Sequence, residues 1–531
     1  MVPRVSGASP ARVAALLTLS ERRRRNARVR DIERMSKQVG SLSAADRALV
    51  TRLLMGTTST SSLLDSLIDE RLRRPSSVEP RVRDALQLAA FEICYLGTPP
   101  AVAVSQGVEL VRMVSPRAAG LANAALRRLA SEVRPRVETA RDRCTGEAFD
   151  ESDLVLVSGL PAWLVSRIVA DRGMGFARDL CLAQLEPAPV CVATNAARQD
   201  ADALEALLRE GDMDPVAVPE LPGSFVLGRP ASLHATKLVH HVDLVVADQS
   251  AQLVCRIAAP SEPCEVLEVG QGRGTKSVLL AAAVGAVHPT LVTGVDSVPY
   301  KVSVSAERMG RAGLSGIVTC LQLDARELAS TDLPAGLDRS FGVVLVDAPC
   351  SGTGTMRRHP ESPSSLTERG ISDLAGLQLE ILSAAASRVE PGGTLVYSTC
   401  SVLREEDEDV VATFLAGDAG RDYVLSPVVE APTCAASSQL ASLVARSQTP
   451  DGCMLTAPAQ GLGDGHFCAR LVRRGQARRA NGLRCSPFGR LRLDFALGDA
   501  PPCGKGAVLP DRFTHVPYRN AENDLFKVRR V

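Results

Sequence analysis

Residues 264–285, which run CEVLEVGQGRGTKSVLLAAAVG, decide the fold of the larger part of this chain. The apolar run that ends in a glycine cluster predicts a buried strand, and the apolar spacing after Gly274 predicts a helix. A second apolar run, TLVTGVD at 290–296, predicts the next strand. Such a unit is typical of a doubly wound, mainly parallel sheet, whose ligands lie outside the carboxyl ends of the strands.

The same alternation continues toward residue 474, with further strands predicted for IVTCLQLD, FGVVLVDAP, GTLVYSTC and GHFCARLVR. We therefore expect an α/β Rossmann-like domain over 244–474. Residues 10–142 contain amphipathic helical patterns without a strand pattern, which predicts an all-α domain. Residues 153–243 alternate short strands and helices, which predicts a small α+β domain. Residues 475–531 form a basic tail.

The charge distribution indicates a polyanionic partner. The net charge is +1, but the first 150 residues carry +9, the last 61 carry +8 and the middle carries −16. Basic ends around an acidic body favour contact with nucleic acid, although solvated surfaces would look the same. The tail is either an extra RNA clamp or a disordered arm.

Composition limits the other classes. No apolar stretch is long enough to cross a membrane, and no signal peptide is visible, so we expect a cytoplasmic protein with reduced thiols. The 14 cysteines include no CxxC pair, so we predict no metal site. We expect a monomer, although nothing in the sequence fixes the oligomeric state.

The glycine loop predicts a nucleoside-containing cofactor. Glycines between a strand and a helix allow a ligand to approach the backbone at a helix N-terminus. Asp296, at the end of the next strand, is the acid that would hold ribose hydroxyls. This pattern alone fits NAD, FAD and S-adenosylmethionine equally well, and a plain tight turn would also give it.

Two cysteines stand at the ends of predicted strands. Cys350 lies in DAPCSGTG (347–354), and Cys400 lies in STCS (398–401). A single cysteine is usually a buried core residue. Two at the carboxyl ends of strands in one sheet are expected to face the same ligand crevice, beside Asp347.

The strings DAPCSGTG, RRHPE (357–361) and STCSVLREEDEDVV (398–411) resemble those of the Sun/Fmu-type (RsmB-like) RNA cytosine-5 methyltransferases. Residues near 50–130 are similar to the RNA-binding NusB-like domain that precedes the catalytic domain in the bacterial ribosomal-RNA members. The resemblance therefore implies methylation of carbon 5 of a cytosine in small-subunit (16S) ribosomal RNA, with S-adenosyl-L-methionine as cofactor.

The resemblance also implies roles for individual residues. Cys400 would attack carbon 6 of the cytosine, Cys350 would help the methylated base to leave, and Asp347 would bond the ring edge and border the methyl donor. The residues implied in cofactor binding are Gly270, Gln271, Gly272, Arg273, Gly274, Thr275, Lys276, Asp296, Asp324 and Asp347. Those implied in RNA binding are Arg357, Arg358 and His359.

The chain departs from the family in the glycine loop. The common bacterial form is Cys-Ala-Ala-Pro-Gly-Gly-Lys, whereas this chain has Gly270-Gln-Gly-Arg-Gly-Thr-Lys276. Three alternatives stay open at this point. They are a nicotinamide oxidoreductase, which would need neither cysteine; a non-catalytic RNA-binding assembly factor; and a methyltransferase acting on tRNA or another RNA.

Overall fold

The computed structural model describes residues 7–285, 291–458 and 461–475. The tail over 475–531, predicted to be an RNA clamp or a disordered arm, lies almost wholly outside the described residues. No described helix is long and apolar enough to cross a membrane. Within the described ranges, no cluster of three or more His, Cys, Asp or Glu side chains could hold a metal ion.

The N-terminal part is helical, as predicted. Pro10, Pro80 and Pro100 are the first residues of three of its helices, where the missing N–H costs nothing. Buried Leu, Val and Ala side chains of these helices form one core. The helices are α1 Pro10–Arg25, α2 Val29–Met35, α3 Lys37–Gly40, α4 Ala44–Ser59, α5 Ser61–Asp69, α6 Pro80–Tyr95, α7 Pro100–Val114, α8 Ala119–Arg128 and α9 Arg134–Thr145, with a π-helical turn at Leu129–Val133.

The middle part begins with two helices and continues as a small antiparallel sheet of order β2-β3-β1-β4. Its last strand, β4, lies just past the predicted boundary at 243, because it pairs with β1 through Val192 and Val246. The elements are α10 Glu151–Ser158, α11 Ala162–Ala183, β1 Val190–Thr194, α12 Ala201–Glu210, β2 Pro215–Ala217, β3 Ser224–Leu227, α13 Leu238–His241 and β4 Leu244–Val246.

The C-terminal part confirms the Rossmann-like prediction. Its sheet has the order β10-β12-β9-β8-β5-β6-β7, and β11 pairs with β12. Strands β5 to β9 are parallel, whereas β12 is antiparallel to β9 and β10 is antiparallel to β12. The strands are β5 Glu265–Val269, β6 Leu291–Asp296, β7 Val318–Gln322, β8 Phe341–Asp347, β9 Val389–Thr399, β10 Tyr423–Ser426, β11 Met454–Leu455 and β12 Phe467–Arg473.

Helices cover both faces of this sheet, because successive strand residues point to opposite sides. Val343 and Leu345 of β8 join one core, and Val344 and Val346 join the other. The helices are α14 Gln249–Ala258, α15 Thr275–Gly285, α16 Pro299–Arg311, α17 Ser362–Ser365, α18 Glu368–Ala386, α19 Glu408–Ala416, α20 Pro432–Ala435 and α21 Ser438–Ser447. The sequence patterns indicate no element between 417 and 464, whereas the structure has β10, β11, α20 and α21 there.

Candidate active site

The glycine loop lies between β5 and α15, at the carboxyl edge of the sheet. Gly270, Gly272 and Gly274 have φ values of 82°, 59° and 75°, a region that favours glycine. A Cβ on Gly270 would lie 2.2 Å from the carbonyl oxygen of Asp347, so the loop passes directly against the end of β8. A Cβ on Gly272 would meet nothing nearer than 3.9 Å, so the space beside it is open.

Two of the predicted cofactor acids stand at the same edge. The Oδ2 atom of Asp296 accepts a hydrogen bond from the Gly272 amide at 2.9 Å, and its Oδ1 atom accepts one from Val298 at 2.9 Å. Asp324 follows β7 and forms an ion pair of 2.7 Å with Arg326. Asp296 therefore ties the glycine loop to the end of β6, while Asp324 lies one strand further along.

The side chain of Gln271 points into the protein. Its Nε2 atom donates to Ser277 Oγ at 2.9 Å, and the Ser277 hydroxyl donates to the carboxyl of Glu268. Complete burial raises the pKa of Glu268 to about 8. A Cβ on Gly294 would lie 2.1 Å from Gln271 Nε2, so a side chain at this position in β6 would displace the inward-pointing Gln271. The Gln271 side chain braces the loop from inside, and its contact with a cofactor stays a prediction.

Arg273 in the loop and Thr275, the first residue of α15, are both held from α16. Arg308 Nη1 donates to Thr275 Oγ1 at 2.9 Å and to the Arg273 carbonyl at 3.3 Å. Lys276, the last residue of the loop motif, reaches β8 instead. Its Nζ atom lies 2.6 Å from Asp347 Oδ2. The loop residues that are predicted to bind the cofactor therefore make contacts at the ends of three strands, β5, β6 and β8.

Asp347 sits between the loop and the cysteines. Its Oδ1 atom accepts a hydrogen bond from Ser398 Oγ at 3.3 Å, and its Oδ2 atom binds Lys276. Burial alone would lower the pKa of Lys276, but the attraction of Asp347 outweighs it and raises that pKa above its ordinary value. The site therefore holds a fixed ammonium beside the end of β9.

The two predicted catalytic cysteines meet. The Sγ atoms of Cys350 and Cys400 are 3.1 Å apart, and the Cys400 amide donates to Cys350 Sγ at 3.3 Å. The loop after Cys350 continues along Cys400, because the Gly354 amide donates to the Cys400 carbonyl at 2.9 Å. Both thiols are half-buried. The sequence placed each cysteine at a strand end, and the structure brings them into direct contact.

Their surroundings differ in charge. The hydrogen bond from Cys350 lowers the pKa of Cys400 below its ordinary value, and Lys276 acts in the same direction, against burial and Asp347. The same hydrogen bond, burial and the nearby Glu406 carboxylate raise the pKa of Cys350 well above its ordinary value. Cys400 is therefore the sulfur that ionises first, and Cys350 is the one that keeps its proton.

Glu406, which the sequence analysis did not single out, joins the two cysteine loops. Its carboxylate accepts hydrogen bonds from the Ser351 amide at 2.8 Å, the Ser401 hydroxyl at 2.6 Å and Gln378 Nε2 at 3.0 Å, as well as from the Ser351 hydroxyl. Each of the two cysteines is thus followed by a serine bound to the same buried carboxylate. The run of acidic residues in STCSVLREEDEDVV was the feature of the sequence that could have pointed to Glu406.

A second set of hydrogen bonds connects α11 to the residues on either side of Cys400. Arg172 Nη2 lies 2.9 Å from Asp407 Oδ2, and Asp407 Oδ1 accepts from the Thr399 hydroxyl at 2.6 Å. Arg172 Nε also donates to the Val402 carbonyl at 2.6 Å, and its other contacts are with Glu408. Residues on both sides of Cys400 are therefore fixed by one arginine. No pattern in the sequence pointed to it.

The predicted RNA-binding residues divide into two kinds. Arg357 and Arg358 both form ion pairs with the fully buried Asp464, and Arg358 also binds Asp248 at 2.9 Å. His359 is exposed. The two guanidinium groups are therefore neutralised within the chain, and an RNA contact for any of the three stays a prediction.

Comparisons with known proteins bear on this site. The family model described as 16S rRNA methyltransferase RsmB/F matches residues 256–472, and the one described as NusB family matches residues 9–131. Relatives named ribosomal RNA small subunit methyltransferase B, from Salmonella paratyphi B and Salmonella paratyphi C, are each 31% identical over 372 residues, 70% of this chain and 82% of the relative. The chain belongs to the 16S rRNA methyltransferase RsmB/F family. The resemblance predicted from the cysteine motifs is confirmed.

Solved structures agree on the fold of this RsmB/F family member. The structure of PH0851 has 20% sequence identity and a TM-score of 0.66, and it covers 87% of this chain and 98% of its own. The structure of NSun6 from Pyrococcus horikoshii with SFG has 17% identity and a TM-score of 0.50, over 60% of this chain and 100% of its own. At these identities the likeness shows the fold alone.

Proposed function

We propose that this protein methylates carbon 5 of a cytosine in small-subunit (16S) ribosomal RNA, with S-adenosyl-L-methionine as the methyl donor and a covalent cysteine adduct at carbon 6. The observation that carries the proposal is the pair of sulfur atoms 3.1 Å apart at the carboxyl edge of the sheet, with a cation on the side of Cys400. Neither an oxidoreductase nor an inert assembly factor needs this pair.

The residues present fit S-adenosylmethionine. The space beside Gly272 is open, and the Asp296 carboxylate, at the end of the next strand, has lone pairs left for ribose hydroxyls. Gly270 to Lys276 would hold the donor together with Asp296, Asp324 and Asp347. When bound, this cofactor supplies an electrophilic methyl group to carbon 5.

Cys400 would act as the nucleophile. Its thiolate adds to carbon 6, and the electron pair of the 5,6 double bond makes carbon 5 nucleophilic, which is covalent catalysis. The Lys276–Asp347 pair stands where it can bond the edge of the ring and disperse the charge that develops on addition.

Cys350 would act in the release of the product. Once carbon 5 carries the methyl group, its proton must pass to a base, which Cys350 would supply or position, so that the double bond re-forms and the Cys400 sulfur departs as thiolate. Cys350 lies within hydrogen-bond distance of that sulfur and is suited to stabilising or reprotonating it. A variant without Cys350 should therefore add to the base but release it slowly.

The names of the curated relatives and the NusB match support ribosomal RNA as substrate and hence a cytoplasmic site of action. The test is transfer of a tritiated methyl group from S-adenosylmethionine to unmodified small-subunit ribosomal RNA, followed by nucleoside analysis. We expect 5-methylcytosine in that RNA and none in tRNA. Label in tRNA alone would replace the substrate, and no label in any RNA would remove the proposed function.

A further inference from the structure

The contact between the sulfur atoms of Cys350 and Cys400 permits a second reaction besides the one on the base. The two Sγ atoms are 3.1 Å apart, and a disulfide bond would require them to approach by about 1 Å more. The loops that carry them are already tied together, because the Gly354 amide donates to the Cys400 carbonyl and the serines that follow both cysteines bind Glu406. A disulfide can therefore close here without a change of fold.

The sulfur of Cys400 is open to a small oxidant. Both thiols are half-buried rather than buried. A Cβ on Gly352 would lie 3.9 Å from Cys400 Sγ, so the glycine leaves that side of the sulfur uncovered. The hydrogen bond from Cys350 and the ammonium of Lys276 lower the pKa of Cys400, against burial and Asp347, and the thiolate is the form that reacts with peroxides. Cys400 is therefore oxidised first, with the Cys350 thiol beside it.

We propose that Cys350 and Cys400 form a reversible redox switch, which a hydroperoxide closes into a disulfide and a dithiol opens again. In the first step the Cys400 thiolate forms an S–O bond, the O–O bond of the peroxide breaks, and hydroxide or an alkoxide leaves. In the second step the Cys350 sulfur forms the S–S bond, the S–O bond breaks, and the hydroxyl group leaves with the Cys350 proton as water. The two cysteines lose two electrons, which the peroxide takes, and a dithiol returns them by thiol–disulfide exchange.

The switch has two consequences for the protein. The disulfide occupies both sulfurs, so methyl transfer stops until it is reduced, whereas the glycine loop is held by Asp296, Asp347 and α16 and keeps its place for the methyl donor. Cys350 also traps the oxidised Cys400 before a second peroxide converts it to a sulfinic acid, which dithiols do not reduce. The loss of activity rests on the proposed function, but the formation of the disulfide does not.

The test treats the full-length protein with hydrogen peroxide at neutral pH, blocks the remaining thiols with an alkylating reagent and identifies the peptides by mass spectrometry. The wild type should give a cross-linked peptide that joins Cys350 to Cys400 and is lighter than the two thiols by two hydrogen atoms. Methyl transfer should fall in step with the cross-link, while the affinity for S-adenosylmethionine stays unchanged. Dithiothreitol should restore both thiols and the activity.

Two variants separate the switch from general oxidation. C350A should gain two oxygen atoms on Cys400, and dithiothreitol should not remove them. C264S is the matched control, because Cys264 is also half-buried but burial, Glu390 and Glu265 raise its pKa to about 11 and keep its thiol protonated. C264S should form and lose the disulfide as the wild type does. Irreversible oxidation of Cys400 in the wild type, or a cross-link to another cysteine instead of Cys350, would overturn the switch.

This outcome is separable from that of the proposed function. Methyl transfer by the reduced wild type reports on the enzyme, whereas the mass of the peptides reports on the disulfide. A protein that methylates ribosomal RNA but forms no Cys350–Cys400 cross-link in peroxide removes the switch alone. A protein that forms the reversible cross-link but methylates no RNA keeps the disulfide and removes the proposed function.

Discussion

Cys350 and Cys400 occupy almost equivalent places, each one to three residues past the end of a neighbouring parallel strand, yet their surroundings differ in charge. Cys400 accepts a hydrogen bond from Cys350, and the ammonium of Lys276 also favours its thiolate, against burial and the Asp347 carboxylate. Cys350 lies buried beside the carboxylate of Glu406. Because a donated hydrogen bond and a nearby cation favour a thiolate, whereas burial beside a carboxylate opposes it, the pKa of Cys400 is lowered and the pKa of Cys350 is raised. The comparison teaches that the roles of the two cysteines depend on long-range neighbours and not on their motifs.

The largest expected effect is the loss of the proposed nucleophile. Cys400→Ser should reduce methyl transfer by roughly four to six powers of ten, as removal of a nucleophile does in other covalent enzymes. Cys350→Ala should instead accumulate a covalent protein–RNA adduct, visible as a band of reduced mobility in a denaturing gel. Cys264→Ser, at the amino end of β5, is the control and should behave as wild type. An adduct in Cys400→Ser would reverse the two roles.

Lys276→Met should remove the cation that favours the Cys400 thiolate. The pKa of Cys400 should rise, and turnover at pH 7 should fall roughly 10- to 100-fold. The measurement is the pH dependence of alkylation of each cysteine, followed by peptide mass spectrometry. Lys276→Arg keeps the charge and should keep most of the reactivity at neutral pH. An unshifted profile in Lys276→Met would exclude Lys276 as the cause.

Glu406→Gln should act on the other sulfur. Removing the negative charge should lower the pKa of Cys350 toward its ordinary value, so its alkylation should begin at lower pH. The amide also places a donor where serine hydroxyls donate now, which should cost about 2 kcal/mol in the free energy of unfolding. Glu405→Gln is the matched control, because Glu405 binds Arg167 away from the cysteines. Equal shifts of the Cys350 alkylation profile in both variants would show that Glu406 has no specific effect on Cys350.

Arg172→Lys should give the smallest effect. A single ammonium cannot reach the Val402 carbonyl, Asp407 and Glu408 together, so the segment after Cys400 should become less well fixed. We expect a roughly 3- to 10-fold lower kcat with little change in KM for the methyl donor. Arg167→Lys, on the same helix, should change kcat by less than about 2-fold. Equal effects of the two substitutions would assign Arg172 only a general structural role.

The sequence predicted much of the site because strand periodicity is local. Alternation of strands and helices placed Asp296, Asp347, Cys350 and Cys400 at one edge of a parallel sheet, and the structure has them there. The sequence did not predict the strands between 417 and 464. There β10 has four residues and β11 has two, which is too few for an apolar pattern to stand out. It also did not predict the inward turn of Gln271.

What the sequence by itself determined is therefore the type of each long element and the edge at which its chemical groups emerge. Tertiary structure decided which groups meet. Arg172 and Asp407 are 235 residues apart, and Lys276 reaches Asp347 across 71 residues. Arg358 is neutralised by Asp464, 106 residues away. The physical reason is that a pKa or an ion pair depends on distance in space, and only the packed sheet fixes that distance.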